Sequence, residues 1–420
     1  MITSRSRCAS TGGILLLSGF TALIPSQDAA AQTFSHRGYG EVTVVAYPQG
    51  GRQDDTNLVA EGLFRWEPTL KRGPWRFDAT FDVRADSHEM TERSFDVRYW
   101  DRTPRRPALS VSRLMGSWAS GPITIEVGKQ FIRWGKTDIL VPTDRFAARD
   151  YVRPSSTELL GVTAARLTLA RSSNSLEMVY TPRPTPSRAP LLDQRWIVPP
   201  DEAAGLPLND AGAETPRKAQ VGVRWNHVGR HLEHSLSFFR GFSHLPLFQG
   251  VPRPAPLRLD VRRHYPQLTM YGADAAAPFS WFTVKSEVAV LQSDTTAAAE
   301  YVLYVLQLER QHGEWLFLGG YAGEHETRPG TTFRFAPDRG LARAFVGRAS
   351  RPLDANRSIA FEGVVRQNGD GVYGKFEYVH AVGNHWRVTA TLTGFGGSND
   401  DFLGQYRRNS FGTLTVRYGF

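Results

Sequence analysis

Residues 75–86 alternate without a break, with Trp75, Phe77, Ala79, Phe81, Val83 and Ala85 on one side and Arg76, Asp78, Thr80, Asp82, Arg84 and Asp86 on the other. Successive side chains of a strand point to opposite faces, so this segment is a β-strand with one apolar and one polar, mostly charged face. The same two-residue period predicts strands at 42–47, 58–67, 108–118, 123–131, 159–170, 175–181, 219–228, 231–241 and 264–274. It continues at 279–292, 301–311, 314–323, 341–350, 358–367, 372–381, 386–395 and 408–420, which brings the count to eighteen.

The connections alternate in length. Turns at 117–121, 171–174, 227–230, 275–278, 311–313 and 382–385 are short, whereas 133–158, 182–218, 242–263 and 324–340 are long. An all-β, single transmembrane antiparallel up-and-down barrel of about 18 strands has this layout, with short periplasmic turns and long external loops. An even count keeps every long loop on one side. It also requires residues 95–100, which have strand character, to lie inside a loop. The segment 182–218 carries eight prolines and 246–256 four more, which makes both external loops that cap the pore or fold into it. No second domain is expected.

The amino end adds a compartment. Arg5 and Arg7 precede the apolar run 14–24, and Ala29-Ala30-Ala31 offers a cleavage site before Gln32, so 1–31 reads as a secretory signal peptide and 32–420 as the barrel. No apolar run reaches the roughly 20 residues of a spanning helix. The one cysteine, Cys8, lies in the signal segment, which excludes disulfides, CxxC redox pairs and cysteine metal sites from the mature chain. The last strand places Leu414, Val416, Tyr418 and Phe420 opposite Thr413, Thr415, Arg417 and Gly419. Its aromatic terminus, Tyr418 and Phe420, resembles the signal that the bacterial barrel-assembly machinery reads on its clients, which implies that machinery as a partner and the outer membrane as destination.

A mean hydropathy of -0.35 suits such a barrel, because every second residue faces a polar lumen. The net charge is +9 and only six residues are lysine, so arginine supplies nearly all the cationic charge. That excess reads as an anion-attracting lumen or as a surface that grips lipopolysaccharide phosphates, beside the plain alternative of an arginine-rich codon usage. No nucleic-acid partner, cofactor or metal is expected. His231 and His234 point to opposite faces of a strand, and His325 stands between Glu324 and Glu326. Neither spacing brings two ligands onto one face. No G-x-S-x-G sequence occurs, and the chain reads as a channel rather than an enzyme.

Gly128-Lys129-Gln130-Phe131-Ile132-Arg133-Trp134-Gly135-Lys136-Thr137-Asp138 leaves a strand, and Pro142-Thr143-Asp144-Arg145-Phe146-Ala147-Ala148-Arg149-Asp150-Tyr151 follows. Here the chain resembles a group of porin-like outer-membrane proteins that carry G-[KR]-Q-x3-W-G, then P-x-D and an R-D pair. Their broad superfamily includes alginate-export and anion-selective porins. The stretch 402–410 is similar to the ends of the same group. The loop concentrates Arg133, Lys136, Asp138, Asp144, Arg145, Arg149, Asp150 and Arg153 beside Trp134, Phe146 and Tyr151. Folded inward, these charges either narrow the pore and select solutes by a transverse field, or pair with one another and the wall to pin the loop.

Charges facing lipid cost about 2 to 4 kcal/mol at the midplane, so those opposite apolar faces must look into the lumen. They are Arg76, Asp78, Asp82, Arg84, Arg224, Lys285, Glu287, Glu362, Arg366, Lys375, Glu377, Arg387 and Arg417, a lining of mixed sign with excess arginine. The sequence thus predicts an outer-membrane channel for small or elongated hydrophilic, anionic solutes. The alternative is a plugged or non-conducting barrel that serves as an export port or binds a surface polysaccharide or lipid.

Overall fold

The computed structural model describes residues 32–154, 158–199, 205–330, 337 and 339–420; the predicted signal segment 1–31 lies outside the described residues. The wall begins with β1 Gln32–Ala46, β2 Leu58–Arg72, β3 Trp75–Asp86, β4 Leu109–Ser120, β5 Ile123–Gln130 and β6 Val162–Arg171. It continues with β7 Asn174–Thr181, β8 Gln220–Val228, β9 Glu233–Phe242, β10 Gln267–Pro278, β11 Thr283–Gln292 and β12 Glu300–His312. It ends with β13 Trp315–Arg328, β14 Ala344–Pro352, β15 Arg357–Arg366, β16 Gly371–Val382, β17 Trp386–Gly397 and β18 Phe411–Gly419. Each strand pairs antiparallel with the next, and β18 pairs antiparallel with β1 from Tyr39↔Gly419 to Ala46↔Gly412, which closes an 18-strand up-and-down barrel.

Every predicted strand falls on one wall strand. The segment 95–100 contains the two-residue strand Val97–Arg98, which runs parallel to Leu109–Ser110 and so belongs to a loop. Short turns at one rim therefore alternate with long loops at the other, except that the β15–β16 connection on the long-loop rim, residues 367–370, is itself a tight turn. Some boundaries differ. β1 starts at Gln32 rather than at 42 because 32–41 pairs with β2, although its His36-Arg37-Gly38 stretch hides the period. The strand predicted at 264–274 starts at Gln267, and His264 ends a hairpin inside the loop predicted at 242–263, Leu247–Pro254 with Leu257–His264, joined in parallel by Leu208–Glu214. Pro252 and Pro254 lie on an edge strand of that small sheet, where a missing N–H is tolerated.

The faces sort as the period demands. Trp75, Phe77, Phe81 and Val83 are exposed on the outside, while Asp78, Thr80 and Asp82 are buried inside. Apolar side chains outward and charge inward invert the arrangement of a soluble protein, a pattern that membrane barrels share.

The seam depends on the last residue. Gly38 and Phe420 exchange both backbone hydrogen bonds at 3.0 Å, and the Phe420 ring stacks on Phe64 at 5.8 Å. Gly38 leaves room for that ring, since a Cβ there would lie 2.6 Å from Phe420 Cζ. Phe420→Ser removes the stack while keeping the backbone pair. It is expected to lower the folded fraction and the heat resistance of the barrel, read by heat-dependent migration on gels; wild-type heat resistance would refute the role of the ring.

Candidate functional site: an inward loop and the passage beside it

After β5 the chain turns into the lumen, and its anchor is a single carboxylate on the wall. Glu287, on the inner face of β11, is almost fully buried. Its Oε1 accepts from the Thr143 backbone N–H and hydroxyl, both at 2.8 Å. Its Oε2 accepts from the Lys136 N–H at 3.1 Å, the Thr137 N–H at 3.3 Å and the Thr137 hydroxyl at 2.9 Å. A carboxylate with this many donors is charge-assisted at each bond and holds the loop far more firmly than neutral contacts would.

Neighbouring contacts extend the grip. Asp138 Oδ2 accepts from Lys285 Nζ at 2.8 Å and Gln307 Nε2 at 2.7 Å, while its own N–H donates to Gln307 Oε1 at 2.8 Å. Lys136 Nζ donates to Glu233 and stands 3.6 Å from Asp274. Trp134 Nε1 donates to Glu177 at 2.6 Å. Around these bonds Ile132, Trp134, Phe146 and Ala148 pack on Val179, Phe239, Met270, Leu291 and Leu303 to form an apolar core inside the barrel. Gly222 of β8 makes space for it, because a Cβ there would lie 2.6 Å from both Trp134 and Phe146.

The second half of the loop enters a dense charge network. Asp150 accepts from Arg106 at 3.1 and 3.2 Å and from Arg188 at 3.0 Å. Arg106 also donates to Glu61 at 2.9 Å, Arg188 donates to Asp101 at 2.7 Å, and Asp101 pairs with the buried Lys129. Arg65 binds Asp82 at 2.6 and 2.8 Å, and Arg84 binds Glu158 at 2.6 Å. The facing Arg106 and Arg188 hold the Asp150 carboxyl well below the usual range despite its burial. Asp144, on the loop and outside the spanning strands, behaves oppositely. Burial pushes it up to about 6, against the pull of Arg149, Arg133 and Arg145. Its Oδ1 accepts the Trp134 N–H at 3.0 Å, but Oδ2 stands 3.7 Å from Arg133 Nε and 4.0 Å from Arg149 Nη2.

The loop fills one side of the lumen and leaves a cavity on the other. A cavity of about 350 Å³ is lined by β16, β17, β18 and β1, with Arg153 of the loop at its edge. Six hydroxyls, from Thr43, Thr389, Thr391, Thr393, Thr413 and Thr415, face it together with Arg153, Lys375, Arg387, Arg417, Glu41 and Glu377. Arg417 pairs with Glu41 at 2.5 Å, Lys375 with Glu377 at 3.1 Å and Arg153 with Glu61 at 2.9 Å. The Arg387 side chain makes no hydrogen bond or ion pair among the described residues, and it sits directly across from Arg417 in the ladder.

The structure thus divides the residues singled out from the sequence. Arg133 is exposed and Arg153 borders the cavity, whereas Asp144, Arg145 and Asp150 are buried and Lys136 and Asp138 serve as anchors. Of the wall charges, Lys375, Glu377, Arg387 and Arg417 line the cavity. Arg76 and Asp78 pair with each other, Arg84 with Asp82 and Glu158, Arg224 with Asp274, Glu362 with Arg348 and Arg366 with Asp401. The threonine strip is visible in the sequence as Arg387-x-Thr-x-Thr-x-Thr393 and Thr413-x-Thr-x-Arg417. Asp101, Arg106 and Arg188 sit in loops without periodicity, where no sequence signal marks them. Among the described residues no group of three or more His, Cys, Asp or Glu is placed to hold a metal.

No protein-family model and no curated protein sequence matches the chain. Its fold is similar to that of a BenF-like porin from Pseudomonas fluorescens Pf-5, at 8% identity and a TM-score of 0.54, covering 93% of this chain and 98% of that one. OccK5 (OpdH) and OpdQ of Pseudomonas aeruginosa align over the same 93% and 98%, each with a TM-score of 0.53, at 9% and 8% identity respectively. At this identity the likeness establishes the fold, an 18-strand porin-type barrel.

Two outcomes test the loop. Glu287→Ala strands several buried donors, a loss of about 3 to 5 kcal/mol for a broken buried charge contact. Single-channel conductance and current noise are expected to rise as the loop loosens; unchanged traces would show that other contacts hold it. Asp144 has a raised folded value, so its contribution is full below about pH 4 and is lost as pH rises through about 6. Current noise is expected to be lower at pH 5 than at pH 7.5, and Asp144→Asn should abolish that difference.

Proposed function

We propose that the chain is an outer-membrane porin, a channel and not an enzyme, that passes small or elongated hydrophilic solutes and favours anions. The observation that carries this reading is the lining of the cavity beside the loop, where Arg153, Lys375, Arg387 and Arg417 face only Glu41 and Glu377 across a strip of threonines. Hydroxyls replace part of a solute's hydration shell without binding it tightly, and the cationic surplus attracts an anion as it enters.

The short turns lie on the periplasmic side and the long loops outside, as parity and loop length support. The barrel-assembly machinery reads the aromatic end at Phe420. Selectivity arises in the passage itself, at Arg387, Arg417 and Arg153, with Arg133 exposed on the loop and Asp144, Arg145, Arg149 and Asp150 serving to hold the loop in place.

Reversal potential in a salt gradient across a planar bilayer tests this. Anion preference is expected for the wild type, and Arg387→Glu should shift the reversal potential toward cation preference, since no ion pair offsets that guanidinium. A folded barrel with no conductance, or with a reversal potential unaffected by the substitution, would overturn the reading.

A further inference from the structure

The outer face of the wall carries charge of one sign at one rim. Strand pleating and ladder register place Glu41, Glu61, Glu67, Asp78, Asp82, Glu126, Glu177, Glu233, Asp274, Glu287, Glu324, Glu362 and Glu377 inward. The remaining strand carboxylates also face inward, apart from Glu300 at a register shift on the loop-end tip of β12. The outer face does carry arginines. Arg72, Arg171, Arg310, Arg351 and Arg357 all lie within three residues of a short turn, whereas Arg240 alone stands near the loop end.

The setting is an aromatic belt. Trp75, Trp225, Trp315, Trp386 and Tyr418 face outward at the same rim, and Trp281 lies in one of its turns. The Arg310 guanidinium lies 5.3 Å from the Trp281 ring and that of Arg351 5.8 Å from Trp315, which fixes both at the level of the belt. Arg351 pairs with Glu314 at 2.9 Å and Arg357 with Asp354 at 2.6 Å. Arg72, Arg171 and Arg310 form no ion pair among the described residues, and all three are exposed. His227 and His234 meet across β8 and β9 at the same rim, with ring centroids 5.2 Å apart.

We infer that the short-turn rim is a binding surface for the phosphate groups of anionic phospholipids in the leaflet at that end. An outward guanidinium at belt height sits in the headgroup plane, where it meets phosphate in bidentate geometry. Three of them without a carboxylate partner give charge complementarity to an anionic lipid and none to a neutral apolar partner. The long-loop rim, where lipopolysaccharide would stand, offers Arg240 and His325 on its outer face and lacks this concentration. This inference rests on the reading of the chain as a membrane-spanning barrel, and it does not require that the barrel conduct.

The test uses the full-length barrel in phosphatidylcholine vesicles, with spin-labelled phosphatidylglycerol or spin-labelled phosphatidylcholine as probe. Electron spin resonance reports the fraction of each held at the protein surface. The wild type is expected to prefer phosphatidylglycerol, and R72Q/R171Q/R310Q should lower that preference at least about threefold, a small part of the attraction expected from three basic residues at an anionic surface. Arg240→Gln should leave it unchanged. High salt should weaken the wild-type preference. A triple variant that keeps the preference, or an Arg240→Gln variant that loses it, overturns the inference. In a parallel measurement with lipopolysaccharide, a loss confined to lipopolysaccharide in the triple variant also overturns it. Heat-dependent gel migration verifies that each variant is folded. A silent bilayer with the lipid preference intact would defeat the channel reading alone.

Discussion

A wall that turns its apolar side chains outward leaves the interior as the place for charge, and interior charge has to be paired. Removing one partner of a buried ion pair costs about 3 to 5 kcal/mol, far more than an exposed pair contributes. The inner surface accordingly closes most of its charges on one another: Arg65 with Asp82, Arg84 with Glu158, Arg106 and Arg188 with Asp150, and Lys129 with Asp101. Where the wall presents a carboxylate with no cation of its own to bind it, as at Glu287, the loop supplies backbone and hydroxyl donors instead.

That solution makes the barrel one-sided. Strands β7 to β13 carry large apolar or anchoring side chains inward, such as Phe239, Met270, Leu291, Leu303 and Gln307, because they face packed loop rather than water. Strands β16 to β18 and β1 carry threonines and unburied charges because they face the cavity that the loop leaves open. The two inner surfaces thus differ for one reason, namely which of them the loop covers. A charge placed on the open side meets solvent and solute, whereas one on the covered side becomes a structural contact.

How much of this is legible in the chain follows the same division. The eighteen strands were readable because outward apolar residues alternate with inward polar ones, and the alternation survives even where glycine interrupts it. The loop's charges were readable as a cluster but not as contacts. Thr143 and Glu287 lie 144 positions apart, and no local pattern joins them. One trace of the docking does persist in the sequence. Val288-Ala289-Val290-Leu291 and Tyr301-Val302-Leu303-Tyr304-Val305-Leu306 are apolar on both faces, which a strand needs only when something other than water covers its inner side. Asp101, Arg106 and Arg188 left no trace, since a loop residue's partner is set by where the loop lands.

The seam between β1 and β18 has a consequence for how the molecule comes into being. Its first and last strands are hydrogen-bonded to each other, so the ladder gains its final row only when the most distant parts of the chain meet. Contacts of such sequence separation form late, after the local hairpins have paired. A product of premature termination that lacks the last strand would keep two open edges, with apolar faces beside unsatisfied backbone groups. Ring closure therefore acts as an inspection step: only a molecule that contains Phe411–Gly419 can become edgeless, and shorter products keep exposed strand edges.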